Sequence, residues 1–517
     1  MKRRDFVKNV SIASIGMPFM VNDLKFQTIS KPLFPIEKSA EDKVLVIIRL
    51  GGGNDGLNTV IPMDSYDHLV NHRTNIILPE NQLLPITNSL SLHPVMTGMQ
   101  NMFGDGKLSI IQNVGYPEQN RSHFRSTDIW DKGLMEPSAT TGWMGRNLDK
   151  SYPNFPEDYP NGSQPDPFAI SMGNEVSATC QGLMGNFSHT VSNPFDTFNL
   201  NETNALNDGS YYGSHMEYLS TIIAQTNAYG SQVNDAANNG STLSSKYDSN
   251  NRLAVQLRYI AQMISGGLQT KVYILNVNGF DTHDSQVTSS DKTLGNHSDL
   301  LKSVSDAVEA FQDDLALLNL QHKVAGMTYS EFGRQISSNA SLGTDHGDAA
   351  PLFLFGSCVG QSITGADPVI GTQVQDQEGV VMEIDFRDVY ASILRNWFEV
   401  TENDIQAMFE HTVTYYPFLA GCSTGIEEET DFAKARLLIY PNPAISNTTL
   451  RLMSNDEHVK VEITNLNGAT VLIPFEGHLS KNEHNVPIDV GQLANGQYVV
   501  RVIKKSGVET VNFVKIH

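Results

Sequence analysis

Six carboxylate and imidazole residues could carry chemistry in this 517-residue chain: Asp55, Asp281, His283, Glu331, Asp345 and His346. Mixed Asp, Glu and His donors suit Zn²⁺ or Mn²⁺ first, with Mg²⁺ or Ca²⁺ also served by the oxygens. Two such ions about 3.5–4 Å apart would let one activate a nucleophile while the other stabilises a leaving oxygen. Ser122 and Thr127 lie near the start of a helix expected over 122–130, where free amides stabilise an anion, and Ser122 is the candidate nucleophile. Arg121 and Arg125 carry forks that fit a tetrahedral oxyanion, and Asn54 and His123 are further candidate substrate contacts. Each group also has a plainer use. Asp55 follows three glycines and suits a turn. Asp281-Thr282-His283 would cap the next segment, Asp345-His346-Gly347 would turn into a strand, and Ser122 would cap its own helix. The arginines would pair with surface acids. Gly51-Gly52-Gly53 lacks the Lys-Ser/Thr ending of a nucleotide loop, and no Gly-x-Ser-x-Gly elbow occurs.

The elements that must position these groups alternate. Strands are expected at 43–50, 108–114, 272–277, 324–329 and 351–355, from β-branched runs too continuous for a half-exposed sheet. Helices are expected at 93–103, 253–264 and 301–318, where apolar residues recur at helical spacing. That alternation predicts an α/β body with a mainly parallel sheet between helices. The candidate residues follow strand ends, where open α/β sheets bind ligands. Residues 151–251 are rich in Asn, Ser, Gly, Asp and Pro, with a short helical stretch at 219–224. They read as an insertion, a set of long surface loops or a lid.

Composition bounds the function. The 35 basic and 57 acidic residues give a net charge of −22, which disfavours a nucleic-acid binder. Residues 437–517 hold seven charges of each sign, so 28 basic and 50 acidic residues fall on the first 436 positions. No apolar run reaches the ~20 residues of a membrane span. Cys180, Cys358 and Cys422 fit neither a disulfide scaffold nor a zinc knuckle, and each reads as a small buried hydrophobe. Residues 1–30 open with a basic Arg3-Arg4 stretch followed by a short apolar run, an export signal. The Arg-Arg-x-Phe-x-Lys order resembles twin-arginine signals, with an ordinary secretory signal as the alternative. After an acidic linker at 423–436, short alternating strands over 437–517 predict a small all-β sandwich.

The ordered motifs Arg-Leu-Gly-Gly-Gly-Asn-Asp-Gly-Leu-Asn-Thr (49–59), Gly-Tyr-Pro (115–117), Ser-His-Phe (122–124), Gly-Phe-Asp-Thr-His (279–283), Ser-Glu-Phe-Gly-Arg (330–334) and Gly-Thr-Asp-His-Gly (343–347) carry a resemblance. Over 40–422 the chain resembles domain-of-unknown-function family 1501, which looks like a branch of the alkaline phosphatase and sulfatase superfamily. The resemblance implies an alkaline-phosphatase-like fold with a metal-dependent ester-hydrolysing site. Asp55 resembles its first-strand ligand, Asp281 with His283 its next pair, and His346 its late histidine. Ser122 stands near its nucleophile. Where that superfamily has an Asp-His pair, this chain has Glu331-Phe332, so one histidine is missing unless Asp345 or Asn54 substitutes. No Cys-x-Pro-x-Arg element of the kind sulfatases modify occurs, which tilts the choice towards phosphate. Tyr-Pro-Asn-Pro (440–443), Leu-Asn-Gly (466–468) and Leu-Ala-Asn-Gly-Gln-Tyr (493–498) resemble the type A sorting domain of type IX secretion. Together these imply an exported hydrolase, secreted or held on the outer surface, that meets the secretion machinery through 437–517. It would act on a small-molecule or glycan-linked phosphate or sulfate ester. The alternative is a non-catalytic surface protein using the same fold as a binding scaffold.

Overall fold

The computed structural model describes residues 43–196, 200–201, 209–360 and 362–419 of the body, together with 20–21 and 24–25. In the tail it describes 437–440, 444–454, 456–465, 469–480, 482–505 and 507–515. The rest of the expected export segment, the acidic linker and Cys422 lie outside the described residues. The chain divides into two compact units, Met1–Ser423 and Thr424–His517.

In the first unit, β1 (Val44–Gly51) is the central strand. Leu45 and Ile47 enter one apolar layer and Val46 and Ile48 the other, which explains its nearly unbroken hydrophobic run. Around it lie β2 (Leu108–Gly115), β3 (Ala169–Met172), β4 (Ser188–Val191), β5 (Val272–Asn278), β6 (Val324–Tyr329), β7 (Ala350–Phe355) and β8 (Ser362–Thr364), in the order β8-β2-β7-β6-β1-β5-β3-β4. The run β6-β1-β5-β3-β4 is parallel. The expected parallel sheet has one exception, β7, antiparallel to both β6 and β2. No helix intervenes between β6 and β7, and an antiparallel return needs none.

Helices cover both faces. One layer packs α1 (Thr97–Gly104), α4 (Tyr211–Asn239), α5 (Arg252–Ser265) and α6 (Asn296–Leu317) on the sheet. The other packs α2 (His123–Lys132), α3 (Trp143–Ser151) and α7 (Phe386–Phe398). The Asn251 side chain accepts from the amides of Leu253 and Ala254 at the start of α5, satisfying two of its free donors.

Residues 151–251 are not a set of surface loops. They supply β3 and β4, two parallel strands of the main sheet, and the 29-residue α4. Helix α4 buries Gln225, Tyr229, Val233, Ala236 and Ala237, a stripe too polar and too small-sided to register as amphipathic. Cys180 is a buried free thiol, as expected, whereas Cys358 is disulfide-bonded rather than a plain hydrophobe.

The second unit is the expected sandwich. Strands β9 (Leu437–Tyr440), β10 (Asn447–Ser454) and β13 (Asn482–Asp489) form one antiparallel sheet. The other contains β11 (Glu457–Asn465), β12 (Thr470–Leu479), β14 (Gly496–Lys504) and β15 (Gly507–Lys515). Leu450, Ile488, Val461 and Val500 meet in its core.

Candidate metal centre

Beyond the carboxyl end of β1 the chain turns through Gly52 at φ +126° and Gly53 at φ +84°. A Cβ on Gly52 would lie 2.2 Å from the Asp281 nitrogen, and one on Gly53 would lie 2.4 Å from the Phe332 ring. Only glycine lets the loops after β5 and β6 close over this strand end. The loop after β5 brings Asp281 and His283. The loop after β6 brings Glu331, Phe332, Arg334, Asp345 and His346. Helix α2 adds His123 from the opposite side. It is fastened there by Ser126 Oγ and Trp130 Nε1, which donate to the Glu331 carbonyl at 2.5 and 3.0 Å.

Three imidazoles converge on one carboxylate. His123 Nδ1 donates to Glu331 Oε1 at 2.9 Å, His283 Nδ1 to Asp345 Oδ1 at 2.7 Å, and His346 Nδ1 to the Arg121 carbonyl at 2.8 Å. A carboxylate or carbonyl only accepts, so each Nδ1 carries a hydrogen, and a ring holding no second proton presents a bare Nε2 lone pair. Those lone pairs face one another. His283 Nε2 and His346 Nε2 are 2.9 Å apart, and each is 3.1 Å from Asp281 Oδ1. His123 Nε2 is 3.3 Å from Asp281 Oδ2 and has no hydrogen-bond partner among the described residues. Ligand atoms about 2.0–2.1 Å from a zinc ion stand roughly 3 Å apart, the spacing found here. His123, Asp281 and His346 each offer one ligand atom within 4.8 Å of the others. The donor set fits a divalent ion.

The local field agrees. Burial works against ionised Asp281, yet the Arg334 guanidinium, donating to Oδ1 at 2.7 Å, holds its pKa down to about 2. Burial, with Arg334's charge, lowers the His346 pKa and favours the neutral ring. The Glu331 hydrogen bond raises that of His123, so a metal ion bound there would compete with a proton. Phe332 packs against the His123 and His346 rings, with centroids 5.0 and 4.6 Å away.

Not every sequence candidate joins this cluster. Asp55 is fully buried, and Arg73 Nη1 donates to both its oxygens at 2.9 and 2.7 Å while Gln286 donates to Oδ2 at 2.6 Å. Asn54 is buried too, its Oδ1 accepting from His297 Nε2 at 2.9 Å. Glu331 and Asp345 stand behind the rings of His123 and His283. The forks of both candidate anion-gripping arginines are engaged. Arg121 donates to the two Asp348 oxygens at 2.9 and 2.7 Å, and Arg125 pairs with Asp128 at 2.6 Å. Ser122 is exposed at the start of α2, and its hydroxyl makes no capping hydrogen bond. Sequence reading put His123 among substrate contacts and missed it as a ring facing Asp281. The signal was the imidazole absent at Phe332, which a histidine following another strand supplies.

The family model described as "Protein of unknown function (DUF1501)" matches residues 42–407, and that described as "Secretion system C-terminal sorting domain" matches 438–516. No curated protein matches the chain. Among solved structures, the chain is similar to PorZ, a surface component of the type-IX secretion system of Porphyromonas gingivalis. Identity is 16%, coverage 17% of this chain and 12% of that one, and TM-score 0.14. It is also similar to an alkaline phosphatase superfamily protein from Vibrio parahaemolyticus, at 11% identity, coverage of 89% and 85%, and TM-score 0.31. The PsFucS1 sulfatase from Pseudoalteromonas sp. matches at 9% identity, coverage of 87% and 85%, and TM-score 0.34. The sorting domain marks the chain for export, to be secreted or attached at the cell surface. No described helix is long and apolar enough to cross a membrane.

Proposed function

The chain belongs to the DUF1501 family, and from that premise we propose that it is a secreted or surface-attached metal-dependent hydrolase of phosphate or sulfate esters. The observation that carries this reading is the convergence of three Nε2 lone pairs on Asp281, with every Nδ1 tied to an acceptor behind it. Lone pairs arranged this way repel one another unless a metal ion or a proton lies among them.

His123, His283, His346 and Asp281 are the proposed ligands. Glu331, Asp345 and the Arg121 carbonyl fix the ring orientations. When bound, a divalent ion supplies Lewis-acid polarisation of an ester oxygen. Ser122 is the proposed nucleophile. Its hydroxyl is exposed, uncommitted to capping, and adjacent in sequence to a ligand. The first free amides of α2 favour the negative charge that develops there. Arg334 screens the cluster's acid from within, its guanidinium also donating to the Gly53 and Thr344 carbonyls at 2.7 and 2.8 Å. The substrate is a small-molecule or glycan-linked ester, with phosphate preferred because no sulfatase-type cysteine motif is present. The sorting domain, residues 437–517, is the proposed contact with the type IX secretion machinery.

Elemental analysis with an aryl phosphate and an aryl sulfate assay tests the proposal. Purified protein is expected to hold stoichiometric zinc or manganese and to cleave one of the two esters. His283→Ala and His346→Ala are expected to lower both metal content and turnover by about a hundredfold or more. Protein without stoichiometric divalent metal, whose ester cleavage is unchanged in both variants, would overturn it.

A further inference from the structure

With Arg121 and Arg125 engaged by Asp348 and Asp128, a third guanidinium draws notice. Arg49 lies two residues before the end of β1, on the face that carries Leu45 and Ile47. Its Nε is buried and has no hydrogen-bond acceptor, and Arg49 joins no ion pair among the described residues. A buried guanidinium nitrogen without an acceptor is costly to keep, so an unfilled one is a feature to be explained. Asp131 feels the charge of Arg49 but forms no ion pair with it among the described residues. That acid is half-buried, its Oδ1 accepts from Thr179 and Tyr329, and desolvation raises its pKa despite Arg49.

The surroundings of Arg49 are built for a polar guest. In the parallel ladder Arg49 pairs with Asn276 and Gly51 with Asn278, so Arg49 and the two asparagines share a face. Strand β3 pairs with β5 only as far as Ile274, and Asn276 and Asn278 beyond it are exposed on an open edge. The space over Gly51, where a Cβ would stand, is 2.6 Å from Asn278 Oδ1, 3.2 Å from Arg49 Nη2 and 3.4 Å from Arg49 Nε. The next residue, Gly52, donates its N–H at 2.9 Å to the Glu331 oxygen that holds His123. This edge therefore adjoins the histidine cluster.

We propose that Arg49, Asn276 and Asn278 form an oxyanion-binding subsite that seats an acidic group of the substrate beside the cluster. A guanidinium fork flanked by side-chain amides matches a phosphate, sulfate or carboxylate. Assigning that anion to a substrate rests on the hydrolase reading. The anion site itself does not need the metal.

The test titrates metal-stripped full-length protein with inorganic phosphate and inorganic sulfate by calorimetry. Wild type is expected to bind at least one of them. Arg49→Gln and Asn278→Leu are expected to weaken that binding about tenfold or more, and Arg49→Lys, which keeps charge but loses the fork, to weaken it less. Arg252→Gln removes the same charge elsewhere and is expected to change binding less than about twofold. Restoring metal separates two sources of the anion. Tighter binding means the subsite takes the reacting ester's own oxygens, and unchanged binding means it takes a second acidic group. Wild type that binds neither anion, or folded Arg49→Lys and Asn278→Leu proteins that bind as wild type does, overturns the inference. So does an Arg252→Gln loss as large as that of Arg49→Gln. Failure of the hydrolase reading would show instead in the metal and ester assays, with this titration intact.

Discussion

Asp345 shows how a residue can matter to the proposed metal centre without facing it. Its Oδ1 accepts from His283 Nδ1 and from Asn339 Nδ2, and the carboxylate is about half exposed. Asp345→Asn is expected to lower metal affinity about 10–100-fold by loosening the His283 ring. Folding stability should move by no more than about 0.5 kcal/mol, the usual effect at an exposed position. A chelator-competition titration beside a denaturant melt separates the two effects. Asp55 is the opposite case. Burial pushes its pKa up, but Arg73, helped by His297 and Gln286, more than offsets this and holds it below the ordinary 3.8. Its stabilising share is therefore present above pH about 4 and is lost as pH falls through the lower folded value. Arg73→Met strands a buried carboxylate and is expected to cost about 3–5 kcal/mol at pH 7. Denaturant melts should show that gap narrowing below pH 4, because a protonated Asp55 needs no countercharge.

At the scale of elements, α2 does two jobs that can be pulled apart. It closes one side of the cluster with His123, and its Trp130 stacks on Tyr329 with centroids 4.9 Å apart. It ends at Gly133, φ +65°, whose N–H donates to the Ile129 carbonyl at 2.7 Å. A serine cap normally contributes about 1 kcal/mol. Here the Ser122 hydroxyl makes no such bond. Ser122→Ala should therefore leave stability within about 0.5 kcal/mol while ester cleavage collapses, as turnover assays beside thermal melts would show. The strand-end turn behaves otherwise. Gly52→Ala places a methyl 2.2 Å from the Asp281 backbone nitrogen at a φ of +126°. It should destabilise the body by about 1–3 kcal/mol and displace the Asp281 loop, lowering metal affinity in the same protein.

At the scale of the whole molecule, the body carries buried histidines that set its acid limit. Burial lowers the pKa of His93 to about 3 and that of His297 to about 4. The unfolded chain takes up these protons near pH 6.5 while the native state refuses them. Stability should fall as pH drops from 6.5 towards 4, by about 1.4 kcal/mol per pH unit for each histidine. Urea melts across that range, compared with a His93→Gln, His297→Gln double variant, check the slope. The two compact units are expected to divide the labour. A chain ending at Ser423 is expected to fold, keep its metal and cleave ester. It should stop inside the outer membrane instead of reaching the surface, which cell fractionation reads directly.

What the sequence determined by itself was whatever depends on neighbours along the chain. Val44–Leu50 declared a doubly buried strand, Leu253 to Ile264 an amphipathic helix, and the alternation over 437–517 a sandwich, because side-chain period is a local property. The Asn- and Ser-rich 151–251 segment misled, since β3, β4 and α4 are held by packing against the sheet rather than by their own hydrophobic contrast. The site was legible as a list of residue types past strand ends. Which of them meet was not. Asp55 and Asp281 look alike in sequence, yet Arg73, 18 residues further on, closes Asp55 into the core, while Arg334 leaves Asp281 exposed to three imidazoles. Hydrogen-bond partners distant in sequence decide which nitrogen of each ring carries its proton. The arrangement of ring nitrogens proposed to hold a metal therefore comes into being only when the loops fold over the end of β1.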